Sequence, residues 1–177
     1  MRALPRGAAT PINAVELEIE TEDWPEGDWE ALADRVAKAA QSVAPELANS
    51  RLVTSLLFTS DARIHELNRE WRQRDKPTNV LSFPMLERSD LVHLDPDEGP
   101  PEMLGDIALA YPTCLREAGE KNIALHNHAA HLILHGFLHL AGHDHEISDD
   151  DAEKMEALEV KALALLGIDN PYSETNS

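Results

Sequence analysis

Seven of the nine histidines fall between His126 and His145, in a stretch that is otherwise almost entirely apolar. From about Leu125 to Ala141 the residues read LHNHAAHLILHGFLHLA. Within it His128, His131, His135 and His139 recur every three or four positions, the spacing that stacks side chains along one stripe of a helix. Leu132, Ile133, Leu134 and Leu138 take the neighbouring faces. No other part of the chain constrains the fold so strongly: the apolar faces need partners, and the histidine stripe needs a reason.

His135 and His139 lie one helical turn apart, close enough to grip one small cation. Gly142 follows three residues after His139, where a glycine can take the left-handed conformation that ends a helix and lets the chain double back. His145 can then return to the same ion. The resulting H-x3-H-x5-H spacing, with a glycine at the eighth position, has the ligand arrangement of the extended zinc-peptidase motif HExxHxxGxxH. Three imidazoles favour one zinc ion over magnesium or calcium, while copper, nickel and iron accept the same donors. Three protein ligands leave a fourth position open, which suits catalysis rather than structural support. A run of histidines bonded to carbonyls is the competing explanation for any one of these residues, and the spacing with its turn glycine weighs against it. His128 and His131 can orient the ligands, touch substrate or merely pack.

In zinc peptidases of this spacing the residue after the first histidine is a glutamate, the base that takes a proton from the attacking water. Here it is Gly136. A glycine inside a helix costs roughly 1 kcal/mol relative to alanine, so either space near the ion or close helix packing must justify it. Ordinary zinc proteolysis is disfavoured, whereas polarising a phosphoryl oxygen requires no adjacent carboxylate.

The rest of the chain supplies strands and helices in alternation. Val15, Leu17 and Ile19 alternate with glutamates, the period of a strand with one wet face. A first helix should follow Asp28 as N-cap, with Trp29, Leu32, Val36 and Ala40 inward, until Pro45 stops it. Leu52 to Thr59 reads as a buried strand, and Ser60 caps a helix carrying Ile64, Leu67 and Trp71. After the turn at Lys76 and Pro77 comes a short strand, NVLSFP. From Leu86 to Met103 the acids and three prolines predict a solvated loop, and a strand, GDIALA, follows from Gly105 to Ala110. Helices are expected from about Pro112 to Glu120, Leu125 to Ala141 and Asp149 to Leu166. The expectation is an α/β fold with α+β character: one domain over residues 1–177 with flexible ends at 1–12 and 173–177. A mixed, mostly parallel four-stranded sheet packs against about five helices, and the zinc helix is metzincin-like.

With 177 residues and 42% hydrophobic content, one core is affordable and a second is not. No apolar run is long enough for a signal peptide or a membrane span, so a soluble, cytoplasmic protein without a membrane partner is expected. The single cysteine, Cys114, excludes an internal disulfide or a CxxC metal site. A net charge of −18 argues against sequence-blind binding to a polyanion, and DNA is not an expected partner. Arg63, Arg69, Arg72, Arg74 and Lys76 nevertheless form a local basic strip. Read blandly, it is a solvated face with pairs such as Glu70 to Arg74.

The run HGFLHLAGHDH, His135 to His145, resembles the signature HGxLHLxGYDH of the YbeY family of zinc-dependent endoribonucleases. LNREWRQRDKPTNVLSFP, Leu67 to Pro84, resembles the family's LNxxYRxKDxPTDVLSFP block, and LGDIALA from Leu104 its LGDI strand. The three blocks keep their order across about residues 50 to 172. The resemblance implies zinc ligands at His135, His139 and His145, a catalytic arginine at Arg72, and cleavage of single-stranded RNA in ribosomal RNA maturation and ribosome quality control. It also implies the ribosome or a ribosomal protein as partner. His135 then counts as catalytic through the metal, and Arg69, Arg74, Lys76 and His131 are candidates to hold the strand. Asp106 could orient a ligand or close a turn. His143 stands where the family has tyrosine, Trp71 likewise, and Asn79 where aspartate is frequent; His143 is thus a rival to His145. Two other functions compete: a zinc peptidase or amidase with its base elsewhere, and a ribosome-associated module whose zinc is structural, closed by Asp144 or His143.

Overall fold

A computed structural model describes residues 15–143 and 148–172, so the expected flexible ends and His145 lie outside the described residues. Four strands form one sheet in the order β1-β2-β4-β3: Glu16–Thr21 (β1), Leu52–Thr59 (β2), Val80–Pro84 (β3) and Glu102–Ala110 (β4). The first two pairings are parallel, and β3 runs antiparallel to β4 along one edge. The sheet is therefore mixed and mostly parallel, as the alternation of strands and helices predicts.

Among the described residues six α-helices accompany it: Trp29–Val43 (α1), Asp61–Arg72 (α2), Arg88–Val92 (α3), Tyr111–Lys121 (α4), Leu125–Leu140 (α5) and Asp149–Leu165 (α6). Alternation along the strands sorts them onto two faces. Leu56, Phe58 and Leu109 enter the main core with α1, α5 and α6, while Leu57, Ala108 and Ala110 point the other way, toward Ile64 and Leu67 of α2. The helix α5 carries ten buried residues and lies at the centre of the main core.

Three expectations need correction. The acidic segment from Leu86 to Met103 is not wholly a solvated loop. It contains α3, whose Leu91 is 2% exposed, because one leucine suffices to anchor a turn of otherwise wet residues. The strand expected from Gly105 begins at Glu102 instead, since a bulge absorbs the extra residue: Val53 pairs with Met103 and Thr54 with Gly105. Leu104 is left between them, fully buried. Gly105 sits at φ +154°, and a Cβ there would lie 2.5 Å from the Phe83 carbonyl oxygen, so only glycine fits. Finally, Trp71 does not continue the inward face of α2 but is 66% exposed in the last helical turn.

The helix ends are set locally. Ser60 accepts a hydrogen bond from the Arg63 backbone N–H at 3.1 Å, the expected cap. Asp28 precedes α1 but makes no side-chain cap. At the end of α5, Gly142 has φ +97°; its N–H donates to the His139 carbonyl, and the His143 N–H donates to that of Leu138. This is the glycine-terminated reversal expected there.

Candidate functional site

Three of the four histidines of the stripe keep partial access to solvent on α5. His131, His135 and His139 are half-buried, while the residues between them are buried. Both His135 and His139 line a cavity of about 320 Å³ between α5, β3 and the end of α2. Arg72, Arg74 and Lys76 line it too, with Asn68, Thr78, Asn79 and Ser82 among the others, and none of its described lining residues is acidic.

Backbone geometry explains how the cations get there. Gln73, at φ 56°, turns the chain out of α2 directly after Arg72. The buried Asn68 then ties the turn down by donating to the Lys76 carbonyl at 2.8 Å, and Asn79 donates to Glu117 at 2.9 Å. Arg72 donates to the Ser82 carbonyl at 3.2 Å. Ser82 pairs opposite Ile107, whereas the ladder bonds fall at Asn79 and Met85, so that carbonyl faces the open edge of β3. The nearby carboxylate of Asp75 is engaged elsewhere, 2.7 Å from His65 and 3.9 Å from Arg69. Because α2 ends at Arg72, Glu70 and Arg74 are not successive turns of one helix.

Each cavity histidine is oriented through Nδ1. That of His135 lies 2.6 Å from Glu159 Oε2, and that of His139 lies 2.8 Å from Ser82 Oγ. A carboxylate only accepts, so Nδ1 of His135 carries a proton and a neutral ring has its lone pair on Nε2. That donor set fits a borderline cation such as zinc, which takes imidazole nitrogens whose other nitrogen is held by an outer partner. Among the described residues no group of three potential ligands converges. The third expected ligand, His145, lies outside them.

Other candidates go elsewhere. His131, expected to hold substrate, is turned to Glu159 Oε1 at 2.9 Å and to the Tyr172 hydroxyl at 3.2 Å. His128 is 1% exposed and bonds Glu117 at 2.8 Å, a packing role. Arg69 is not among the residues of the cavity wall. The rival ligand His143 lies 3.6 Å from Glu46, and its ring, against the opposing pull of burial and together with Arg88, holds that carboxyl down at about 2. Asp106 orients no described histidine; it lines a second cavity on the α2 face with Arg63, Trp71 and Phe83, and burial raises its pKa.

Gly136 answers to packing. A Cβ there would stand 3.0 Å from both Cδ1 and Cγ2 of the buried Ile107, so the glycine lets α5 approach β4. Its missing side chain points into the core. Restoring the peptidase-like residue with Gly136→Glu should therefore lower unfolding stability by about 3 kcal/mol or more, through overpacking and an unpaired buried charge. Urea denaturation checks it, and a variant as stable as the parent would remove the packing argument.

Two residues of the site went unread in the sequence. Ser82 carries no local signal, for its partner is 57 positions away. Glu159 did carry one, since it interrupts the inward stripe of Met155, Ala162 and Leu163 on α6. Burial would raise its pKa, but hydrogen bonds from His131 and His135 outweigh that and hold it at about 2.

The family model described as Endoribonuclease YbeY matches residues 14–167. A protein of Erythrobacter litoralis named Endoribonuclease YbeY is 66% identical over 160 residues, covering 90% of this chain and 99% of that one. Another of that name, from Novosphingobium aromaticivorans, is 56% identical over 146 residues, covering 82% and 87%. A solution structure of a Thermotoga maritima protein shares the fold, with a TM-score of 0.52 at 24% identity over 86% of this chain and 91% of that one.

Proposed function

The chain belongs to the YbeY endoribonuclease family, and from that premise we propose that it cleaves single-stranded RNA in the cavity between α2, β3 and α5, with one zinc ion held by His135, His139 and His145. One observation carries this reading: two helix-borne imidazoles share a cavity with three cationic side chains and no described acid. Zinc bound there would supply Lewis acidity toward a phosphoryl oxygen.

The chain's own residues do the rest. The Arg72 guanidinium can hold two non-bridging phosphate oxygens and offset the charge that develops during transfer. Arg74 and Lys76 draw the strand in against a net charge of −18 that repels RNA elsewhere, so binding is site-restricted and salt-sensitive. Glu159 and Ser82 keep the two imidazoles aimed. Ribosomal RNA is the substrate and a ribosomal particle the partner that family kinship suggests, with the cytoplasm as the compartment. Among the described residues no helix is long and apolar enough to cross a membrane.

A peptidase reading meets two obstacles. The position of the glutamate base holds a core-facing glycine. An extended peptide laid along the edge of β3 would also compete with Arg72 for the Ser82 carbonyl. The deciding experiment incubates the zinc-loaded chain with single-stranded RNA and with an unstructured protein, with and without a chelator. RNA should be cut and protein left intact. Chelation should stop cleavage while the circular dichroism of sheet and helices persists. Degradation of the protein alone would reverse the assignment, and unfolding on metal removal would favour a structural zinc.

A further inference from the structure

Glu159 is the one acidic side chain buried among the described residues, at 0% exposure, and a carboxylate in that setting needs a strong compensating reason. Its two oxygens are divided between tasks. Oε1 takes His131 Nε2 at 2.9 Å and the Tyr172 hydroxyl, while Oε2 takes only His135 Nδ1, at 2.6 Å. The three donors come from α5 and from the segment after α6, so the carboxylate is fixed from two directions before it meets His135.

We propose that Glu159 is a positioning residue for the metal site: clamped by His131 and Tyr172, it fixes His135 as the Nδ1–H tautomer and so presents Nε2 to the ion. The geometry separates this from a simple pin between helices. Pinning α6 to α5 needs only the His131 contact, yet the second oxygen is spent on the ring that lines the cavity. A charged acceptor on the far nitrogen also makes the near one a stronger donor. His139 has a neutral counterpart in Ser82 Oγ at 2.8 Å, so the two imidazoles differ in their support. The clamp reaches the C-terminal segment through Tyr172, whose ring meets that of His131 edge-on with centroids 5.6 Å apart.

This inference rests on the metal reading above, and its test keeps the two apart. Zinc affinity of the full chain is measured by competition with a chromogenic chelator for the wild type, His139→Ala and Glu159→Gln, beside urea denaturation of each. Glu159→Gln keeps the size and one acceptor oxygen but not the charge, and it should bind zinc about 10- to 100-fold more weakly than the wild type. Equal affinity, within about twofold, overturns the inference and leaves the metal reading standing. A wild type that binds no zinc overturns both. Should Glu159→Gln not fold, nitrogen NMR of the zinc-loaded wild type decides: His135 bound through Nε2 with a proton on Nδ1 supports the clamp, and coordination through Nδ1 overturns it.

Discussion

Replacing His139 with alanine should leave a folded chain that retains no zinc and cuts RNA at least about 10³-fold more slowly. The ring is half-buried in the last turn of α5, and alanine is the best helix former, so the helix survives the change. What disappears is one of three nitrogens in the proposed site, together with the Ser82 contact at 2.8 Å that aims it. The lost charge stabilisation at a phosphoryl oxygen is worth several kcal/mol, and each factor of ten in rate needs only about 1.4 kcal/mol. Zinc content by elemental analysis, RNA cleavage and circular dichroism, measured on one preparation, check all three parts. A metal-free His139→Ala protein that cleaves RNA as well as the parent would remove zinc from the mechanism.

That the site could be approached from the sequence at all follows from the kind of information its parts carry. His135 and His139 are related by a local period, and Gly142 ends their helix through bonds within one turn, so spacing alone predicts both. The same holds for the wet and dry faces of β1 and α1. Features that depend on distant chain segments were not legible. Trp71 follows the apolar spacing of α2, yet it lies in the last helical turn beside an open cavity and stays exposed. Leu91 gave no periodic signal, because a five-residue helix is too short to show one. Glu159 interrupts the inward stripe of α6, but the side chains it meets are set only by the approach of α6 to α5. The alternatives open for Gly136, His131 and Asp106 likewise turn on tertiary contacts that the sequence does not show: the sheet behind Gly136, Glu159 beside His131, and the second cavity at Asp106.

Arg72→Ala is expected to lower cleavage of single-stranded RNA by about 10²- to 10³-fold, the usual cost of losing one preorganised donor to developing charge. The side chain is exposed and makes one hydrogen bond, to the Ser82 carbonyl, so stability should change by no more than about 1 kcal/mol. Zinc content should not change, which separates this variant from His139→Ala. Arg72→Lys keeps the charge but not the planar fork and should fall between the two. The informative control is Arg69→Ala. Arg69 lies three positions before Arg72 on the same helix, but it is 3.9 Å from Asp75 and does not line the cavity. Its loss removes the same formal charge from the same strip, so diffuse attraction predicts equal effects for the two variants. Direct contact with the reacting phosphate predicts a large effect on rate at Arg72 alone, and for Arg69→Ala little more than a small change in the salt dependence of binding. Cleavage rates of a single-stranded oligonucleotide at several salt concentrations distinguish them, and equal losses would reduce Arg72 from a catalytic group to one cation among several.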